Sequence, residues 1–233
     1  MTEGKKRLCE LPEYKDDMEK VSSGKLSDDE IFEIAQYWEA RSWVEYLSKT
    51  TSRQAYLRHR VKGLRETLRI LGVPDARGDI LDLGCGPISV WESYPDSVVL
   101  AVDPILIRLS QMTDLCRVGQ SGNTFYQCGE LKDVEHDQFD FVYTENAIDH
   151  CPDWKSIVLD FPRVMKWDMC QLIFGVTIDE REERPLRRRV MHPCGITWAE
   201  LRAAFDEAGL RILKEHETRR GRKVYARLLA ELE

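Results

Sequence analysis

Residues 80–87 read Ile-Leu-Asp-Leu-Gly-Cys-Gly-Pro. An apolar run interrupted only by Asp82 gives way to a glycine turn at Gly84-Cys85-Gly86. A buried strand ending in Gly-x-Gly lets backbone come close to a ligand, because glycine has no Cβ to hold it away. Outward from this turn, a second apolar run, Val98-Val99-Leu100-Ala101-Val102, ends at Asp103. Asp103 follows Gly84 by about 20 residues, the spacing at which a second parallel strand offers a carboxylate to ribose hydroxyls. The stretch reads as the nucleoside-binding half of a doubly wound α/β sheet.

The elements on either side extend that reading. Residues 1–26 are polar and read as a loosely ordered lead-in. Ser27 with Glu30 forms a capping box for a helix bearing Ile31, Ile34, Ala35, Trp38 and Trp43. A second helix over 52–71 carries Leu57, Val61, Leu64, Leu68 and Leu71 and stops at Gly72 and Pro74. These two helices, in 27–74, are expected to form a lid over the open end of the sheet, with Tyr37, Trp38 and Trp43 packing it. Residues 75–233 then make the ligand-binding domain. After the central strand come a short helix at 88–94, strand 97–102, a helix at 105–116, and strands 123–128 and 139–143. A helix at 153–166 follows, with Pro162 expected to kink it, then strand 170–178 and a polar, Arg-rich loop at 179–195. Thr197 caps a helix that ends at Gly209, and strands 210–218 and 223–230 close the chain. The pattern predicts a seven-stranded, mostly parallel α/β sheet with the last strand antiparallel.

Composition narrows the function. Hydrophobic residues are 42% and charged residues 32% of the 233, enough for one large domain with a full core. The net charge of −7 disfavours a general nucleic-acid binder. No apolar run approaches the ~20 residues that span a bilayer, and the start of the chain shows no apolar signal core. The seven cysteines, at 9, 85, 116, 128, 151, 170 and 194, form no Cys-x-x-Cys pair and fit reduced thiols in the cytoplasm. No metal site is expected.

Two cofactor classes suit the glycine strand. A dinucleotide site wants G-x-G-x-x-G, but Pro87, Ile88 and Ser89 follow Gly86 and no third glycine arrives. S-adenosylmethionine carries ribose and adenine without phosphate. The segment Asp82-Leu83-Gly84-Cys85-Gly86-Pro87 resembles the first motif of the class I S-adenosylmethionine-dependent methyltransferases, a Rossmann-like fold. Phe139-Asp140-Phe141-Val142 resembles their fourth-strand motif. Asp103-Pro104, Gly129-Glu130-Leu131, Asn146-Ala147-Ile148-Asp149-His150 and His192-Pro193 with Thr197 are similar to one small-molecule branch, the type 11-like enzymes often associated with glycan modification. The resemblance implies that Asp82, Gly84, Cys85, Gly86, Asp103, Pro104, Gly129, Glu130, Leu131 and Asn146 hold the cofactor, with Gly129-Glu130-Leu131 at adenine. Three positions depart from the family pattern. Ile88 stands where a third glycine is common, Cys128 where many relatives place an aspartate for the adenine amino group, and Trp167-Asp168 in place of a Pro-Gly-Gly turn.

Methyl transfer from a sulfonium is an in-line displacement that asks for positioning and exclusion of water. A hydroxyl acceptor also benefits from a base, and histidine suits that role near neutrality. His150, after the fourth strand, and His192, after the fifth, both fall at the carboxyl edge of the sheet, where open α/β sheets bind ligands. His150 is the preferred base and His192 the residue that orients the acceptor; for each, a structural role in its loop is the competing reading. Asp149 reads as a loop cap. Arg184, Arg187, Arg188 and Arg189 suit an anionic, sugar-like small-molecule acceptor, against a solvated loop balanced by Asp179, Glu180, Glu182 and Glu183. The expected activity is O-methylation of a sugar or other hydroxyl compound. A nicotinamide-dependent oxidoreductase and a non-catalytic cofactor-binding module are the alternatives; no Tyr-x-x-x-Lys pair supports the oxidoreductase.

Overall fold

The computed structural model describes residues 8–50, 52–73, 76–135, 139–167, 170–178, 195–220 and 223–233. Eight strands form one sheet in the order β3-β4-β2-β1-β5-β6-β8-β7. They are β1 (Gly78–Leu83), β2 (Ser97–Val102), β3 (Gly119–Ser121), β4 (Thr124–Gln127), β5 (Phe141–Glu145), β6 (Gln171–Ile178), β7 (Leu210–Arg220) and β8 (Lys223–Leu232). β1 is central and pairs in parallel with β2 and β5; β2 pairs in parallel with β4, and β5 with β6. β8 runs antiparallel between β6 and β7, as the terminal hairpin predicts. The eighth strand, β3, is a three-residue edge strand antiparallel to β4 across Gly122 (φ 62°), too short to show an alternation in sequence.

Among the described residues six α-helices flank the sheet: α1 (Pro12–Ser22), α2 (Asp28–Leu47), α3 (Arg53–Leu71), α4 (Leu106–Met112), α5 (Trp154–Val164) and α6 (Trp198–Glu207). α5 and α6 cover one face of the sheet through Val158, Phe161, Leu201 and Phe205. α3 covers the other through Leu64, Leu68 and Leu71, packed on Ile80, Tyr143, Ile173 and Leu229. The expectation that α3 is part of a lid is thereby corrected: its apolar stripe lies on the sheet, and α2 is the helix that crosses the open end. Arg53 ties the start of α3 down, donating to Leu115 O at 2.6 Å and Tyr126 Oη at 2.8 Å and pairing with Glu92.

Residues 8–26 are better ordered than their polarity suggests. Leu8–Glu10 form a 3₁₀ turn and α1 follows, starting at Pro12, a favoured first helical residue. Tyr14 packs edge-on against Trp38 of α2 at 4.8 Å, and Trp38 Nε1 donates to Asp17 Oδ2 at 3.1 Å. The capping box at Ser27 forms as read, Thr197 caps α6 as read and does so through a capping box with Glu200, and Gly72 (φ 78°) ends α3. Three helices are shorter than expected, among them α4, expected over 105–116 and spanning Leu106–Met112. The 88–94 segment is a 3₁₀ turn at Val90–Ser93, and α5 ends at Val164, just past Pro162. Among the described residues no helix is long and apolar enough to cross a membrane.

Candidate active site

The carboxyl ends of the parallel strands open into a cavity of about 1070 Å³. That is the upper end of the range of about 300–1,000 Å³ common for small-molecule sites. It sits where the strand order reverses between β1 and β5, the switch point at which open α/β sheets take ligands.

One region of its wall is the turn after β1 with its neighbours. Gly84 and Gly86 adopt φ 72° and 63°, which glycine tolerates and other residues rarely do. A Cβ at Gly84 would lie 2.1 Å from Ala147 Cβ, and one at Gly86 would lie 3.2 Å from Trp43 Cζ2. Trp43 therefore does more than pack α2, since it seats the turn and lines the cavity. Ala147 reaches Gly84 because Asn146 turns the chain sharply after β5, at φ 57°, with its N–H donating to Gly175 O at 2.8 Å.

Asp103 lines the cavity at the end of β2, and its Oδ2 accepts from Gly86 N–H at 2.8 Å and its Oδ1 from Ile105 N–H at 3.0 Å. Burial pushes its carboxyl up to about 6, against those two hydrogen bonds. Cys85, Pro104, Gly129, Glu130, Leu131 and Asn146 also line the cavity. Burial, with Asp103 and Asp82 nearby, raises the Cys85 thiol well above its usual range, so it is a thiol and not a thiolate. Cys128 Sγ donates to Pro104 O at 3.2 Å and so ties the β4 loop to the β2 loop. Asp82 is a correction: it is 2% exposed, does not line the cavity, and accepts from Ser89 Oγ behind the turn. Burial pushes Asp82 up to about 7, although Ser89 and the positive charge of Arg60 pull it down.

The second region lies between α3 and the β5–β6–β8 end of the sheet. Tyr143 Oη donates to Glu145 Oε2 at 2.6 Å, and Arg227 Nε donates to Glu145 Oε1 at 3.1 Å. Arg227 also lies over the Tyr225 ring at 4.7 Å. Gly175 makes room for this layer, since a Cβ there would sit 2.7 Å from Glu145 Cγ and 2.8 Å from Tyr225 Oη. Arg60, Tyr225, Thr177 and Thr218 complete the wall. None of these residues forms a local motif. They meet because β5, β6 and β8 are neighbours in the sheet, and the pairs Glu145↔Gly175 and Gly175↔Arg227 share one register line.

His150 lies in the wall on the 3₁₀ turn Ile148–His150, its Nδ1 3.6 Å from Glu39 Oε2 and its Nε2 4.0 Å from Asp149 Oδ1. Glu39, on α2, is a site residue that no sequence signal singled out. His59 also lines the cavity, as an exposed residue on α3. His192, Pro193 and Arg184, Arg187, Arg188 and Arg189 fall outside the described residues.

Residues 81–168 match the family model described as a methyltransferase domain. No curated protein sequence matches the chain. Among solved structures, one neighbour is the 1,6-didemethyltoxoflavin-N1-methyltransferase of Burkholderia thailandensis, solved with its substrate and S-adenosylhomocysteine. It is 15% identical with a TM-score of 0.58, over 88% of this chain and 90% of that one. A putative sarcosine dimethylglycine methyltransferase from Galdieria sulphuraria is 15% identical with a TM-score of 0.56, over 76% and 86%. The [4+2]-cyclase SpnF is 12% identical with a TM-score of 0.57, over 74% and 80%. At these identities the likeness is one of fold, and a cyclase among the neighbours shows that the fold alone does not set the reaction.

Proposed function

We propose that the chain is a class I S-adenosylmethionine-dependent methyltransferase that moves the donor's methyl group to a hydroxyl of a small, polar, sugar-like acceptor. The observation that carries the reading is His150. It lies in the cavity wall beside Glu39, on the turn whose preceding residue, Ala147, packs on the glycine turn. A base at that point borders the donor and faces the acceptor.

The donor is S-adenosylmethionine. In this reading the Gly84-Cys85-Gly86 turn and Asn146 take its amino-acid end, Asp103 and Pro104 the ribose, and Gly129-Glu130-Leu131 the adenine. Each Asp103 oxygen accepts one backbone N–H and keeps a lone pair for a ribose hydroxyl. With its pKa near 6, Asp103 is mostly ionised at pH 7 and above, the form that accepts such bonds. Cys128 leaves the adenine amino group to backbone.

The acceptor fits the second region. Tyr143, Glu145, Thr177, Thr218 and Tyr225 offer hydroxyl and carboxylate oxygens suited to a polyol. The His150 imidazole takes the hydroxyl proton as the oxygen attacks the methyl carbon and the sulfonium sulfur leaves with its bonding pair. Glu39 beside Nδ1 stabilises the imidazolium. α2, braced by α1, covers the cavity and excludes water. The free thiols of the described cysteines support a cytoplasmic setting.

The test is turnover with methyl-labelled S-adenosylmethionine against sugars, nucleotide sugars and other hydroxylated small molecules. Label transferred to oxygen supports the reading, and label found only on nitrogen or carbon of every accepted compound rejects it.

A further inference from the structure

Four arginine and lysine side chains line the cavity among the described residues: Arg60, Lys132, Arg163 and Arg227. Three are neutralised by carboxylates. Lys132 pairs with Glu130 at 3.1 Å, Arg163 with Asp160 at 2.6 Å and Arg227 with Glu145 at 3.1 Å. Arg60 is different. It is only partly exposed, yet among the described residues it makes no hydrogen bond and no ion pair, and its guanidinium lies over the Trp43 ring at 6.0 Å. Burial opposes its charge, and the surrounding Tyr56, Tyr143, Glu145 and Tyr225 offset that burial.

The cavity wall beside Arg60 also includes a helical glycine. Gly63 lies three residues along α3, on the same face, and lines the cavity. A Cβ there would meet nothing within 4 Å. Trp43, which Arg60 faces, is also the side chain against which Gly86 is seated. Arg60 thus stands at the junction of the donor turn and the polar chamber, holding a planar fork of donors without an anion.

We propose that Arg60 is the cavity's anion-binding residue and takes a carboxylate of the bound ligand. This rests on the methyltransferase reading, and two sources supply that chemistry: the donor's own amino-acid carboxylate or a carboxylate on the acceptor. A guanidinium fork matches either bidentately. Once bound, the carboxylate supplies the partner that the described residues do not.

The experiment uses the full chain, its R60Q and R60K variants, and calorimetry with three probes. S-adenosylhomocysteine carries the donor's carboxylate, 5′-methylthioadenosine lacks the amino-acid end, and succinate stands for an acceptor carboxylate. If the donor is the source, R60Q weakens S-adenosylhomocysteine by roughly 10- to 100-fold, leaves 5′-methylthioadenosine unchanged, and R60K recovers part of the loss. If the acceptor is the source, S-adenosylhomocysteine binding is unchanged and succinate binds the S-adenosylhomocysteine-saturated wild type but not R60Q. In either case the ligand-free Tm of R60Q falls by no more than a few degrees, because among the described residues the charge makes no ion pair and loses only its place over the Trp43 ring and its weaker pull on nearby carboxylates. Equal affinities of R60Q and wild type for all three probes would overturn the assignment. So would a ligand-free Tm well below wild type in both variants, which would mark a structural cation. Failure of wild type to bind S-adenosylhomocysteine at all would instead sink the methyltransferase reading, and succinate binding to the ligand-free chain would still report on Arg60.

Discussion

The wall around Gly84 and Asp103 comes from loops that each follow directly on a strand, whereas the wall around Arg60 and Glu145 comes from a helix face and three neighbouring strands. In the first region, three or four consecutive residues do one job. Gly84-Cys85-Gly86 turns, Asp103-Pro104 caps β2, and Gly129-Glu130-Leu131 leads into a 3₁₀ turn. In the second, single residues from α3, β5, β6 and β8 meet because the sheet sets them in register. A fixed cofactor suits the first construction, and an acceptor that differs from one enzyme to the next suits the second.

The largest effect that bears on this division is expected at His150, where the two regions meet. His150→Ala should lower kcat by about 10²–10⁴-fold and leave S-adenosylhomocysteine affinity unchanged. Loss of donor binding in that variant, measured by calorimetry, would place the histidine on the donor side and erase the distinction. Asp103→Ala should do the reverse. Losing a charge-assisted contact to ribose is worth roughly 1.5–3 kcal/mol, so donor affinity should fall tenfold or more. The KM for the acceptor, measured at saturating donor, should stay unchanged.

The smallest effect concerns stability. Asp82 and Asp103 are pushed up to about 7 and about 6 by burial, above the unfolded value of about 3.9. Between these values the native state holds more protons than the unfolded one. Stability of the ligand-free protein from these groups therefore falls as pH rises from about 4 to about 7. Asp82→Asn should flatten that slope and raise Tm at pH 8 by a few degrees, on the order of 1 kcal/mol. Because Asp82 stands behind the turn, the substitution should leave donor affinity nearly intact. Differential scanning calorimetry across pH, with a binding titration, checks both.

The same division explains what the sequence made legible. The glycine turn, the acid after β2 and the order of strands and helices are carried by local patterns, and the chain folds as those patterns say. Asp82 misled because a motif residue need not face the ligand; it alternates onto the sheet face and bonds Ser89. Arg60, Glu39, Glu145, Tyr225 and Arg227 were invisible because their meeting depends on helix placement and strand register, which no short window encodes. α1 was missed because its burial rests on a small cluster with Ile34 and Trp38 of α2.

The central claim, that the turn after β1 seats S-adenosylmethionine, is tested most directly by titrating S-adenosylhomocysteine and NADH into wild type and Gly84→Val. A Cβ at Gly84 would lie 2.1 Å from Ala147 Cβ, so the valine must push apart the two loops that form the donor region. The account predicts one equivalent of S-adenosylhomocysteine bound by wild type, none by a variant that circular dichroism shows to be folded, and no NADH bound by either. Undiminished S-adenosylhomocysteine binding in the folded variant, or binding of NADH alone by wild type, would contradict it.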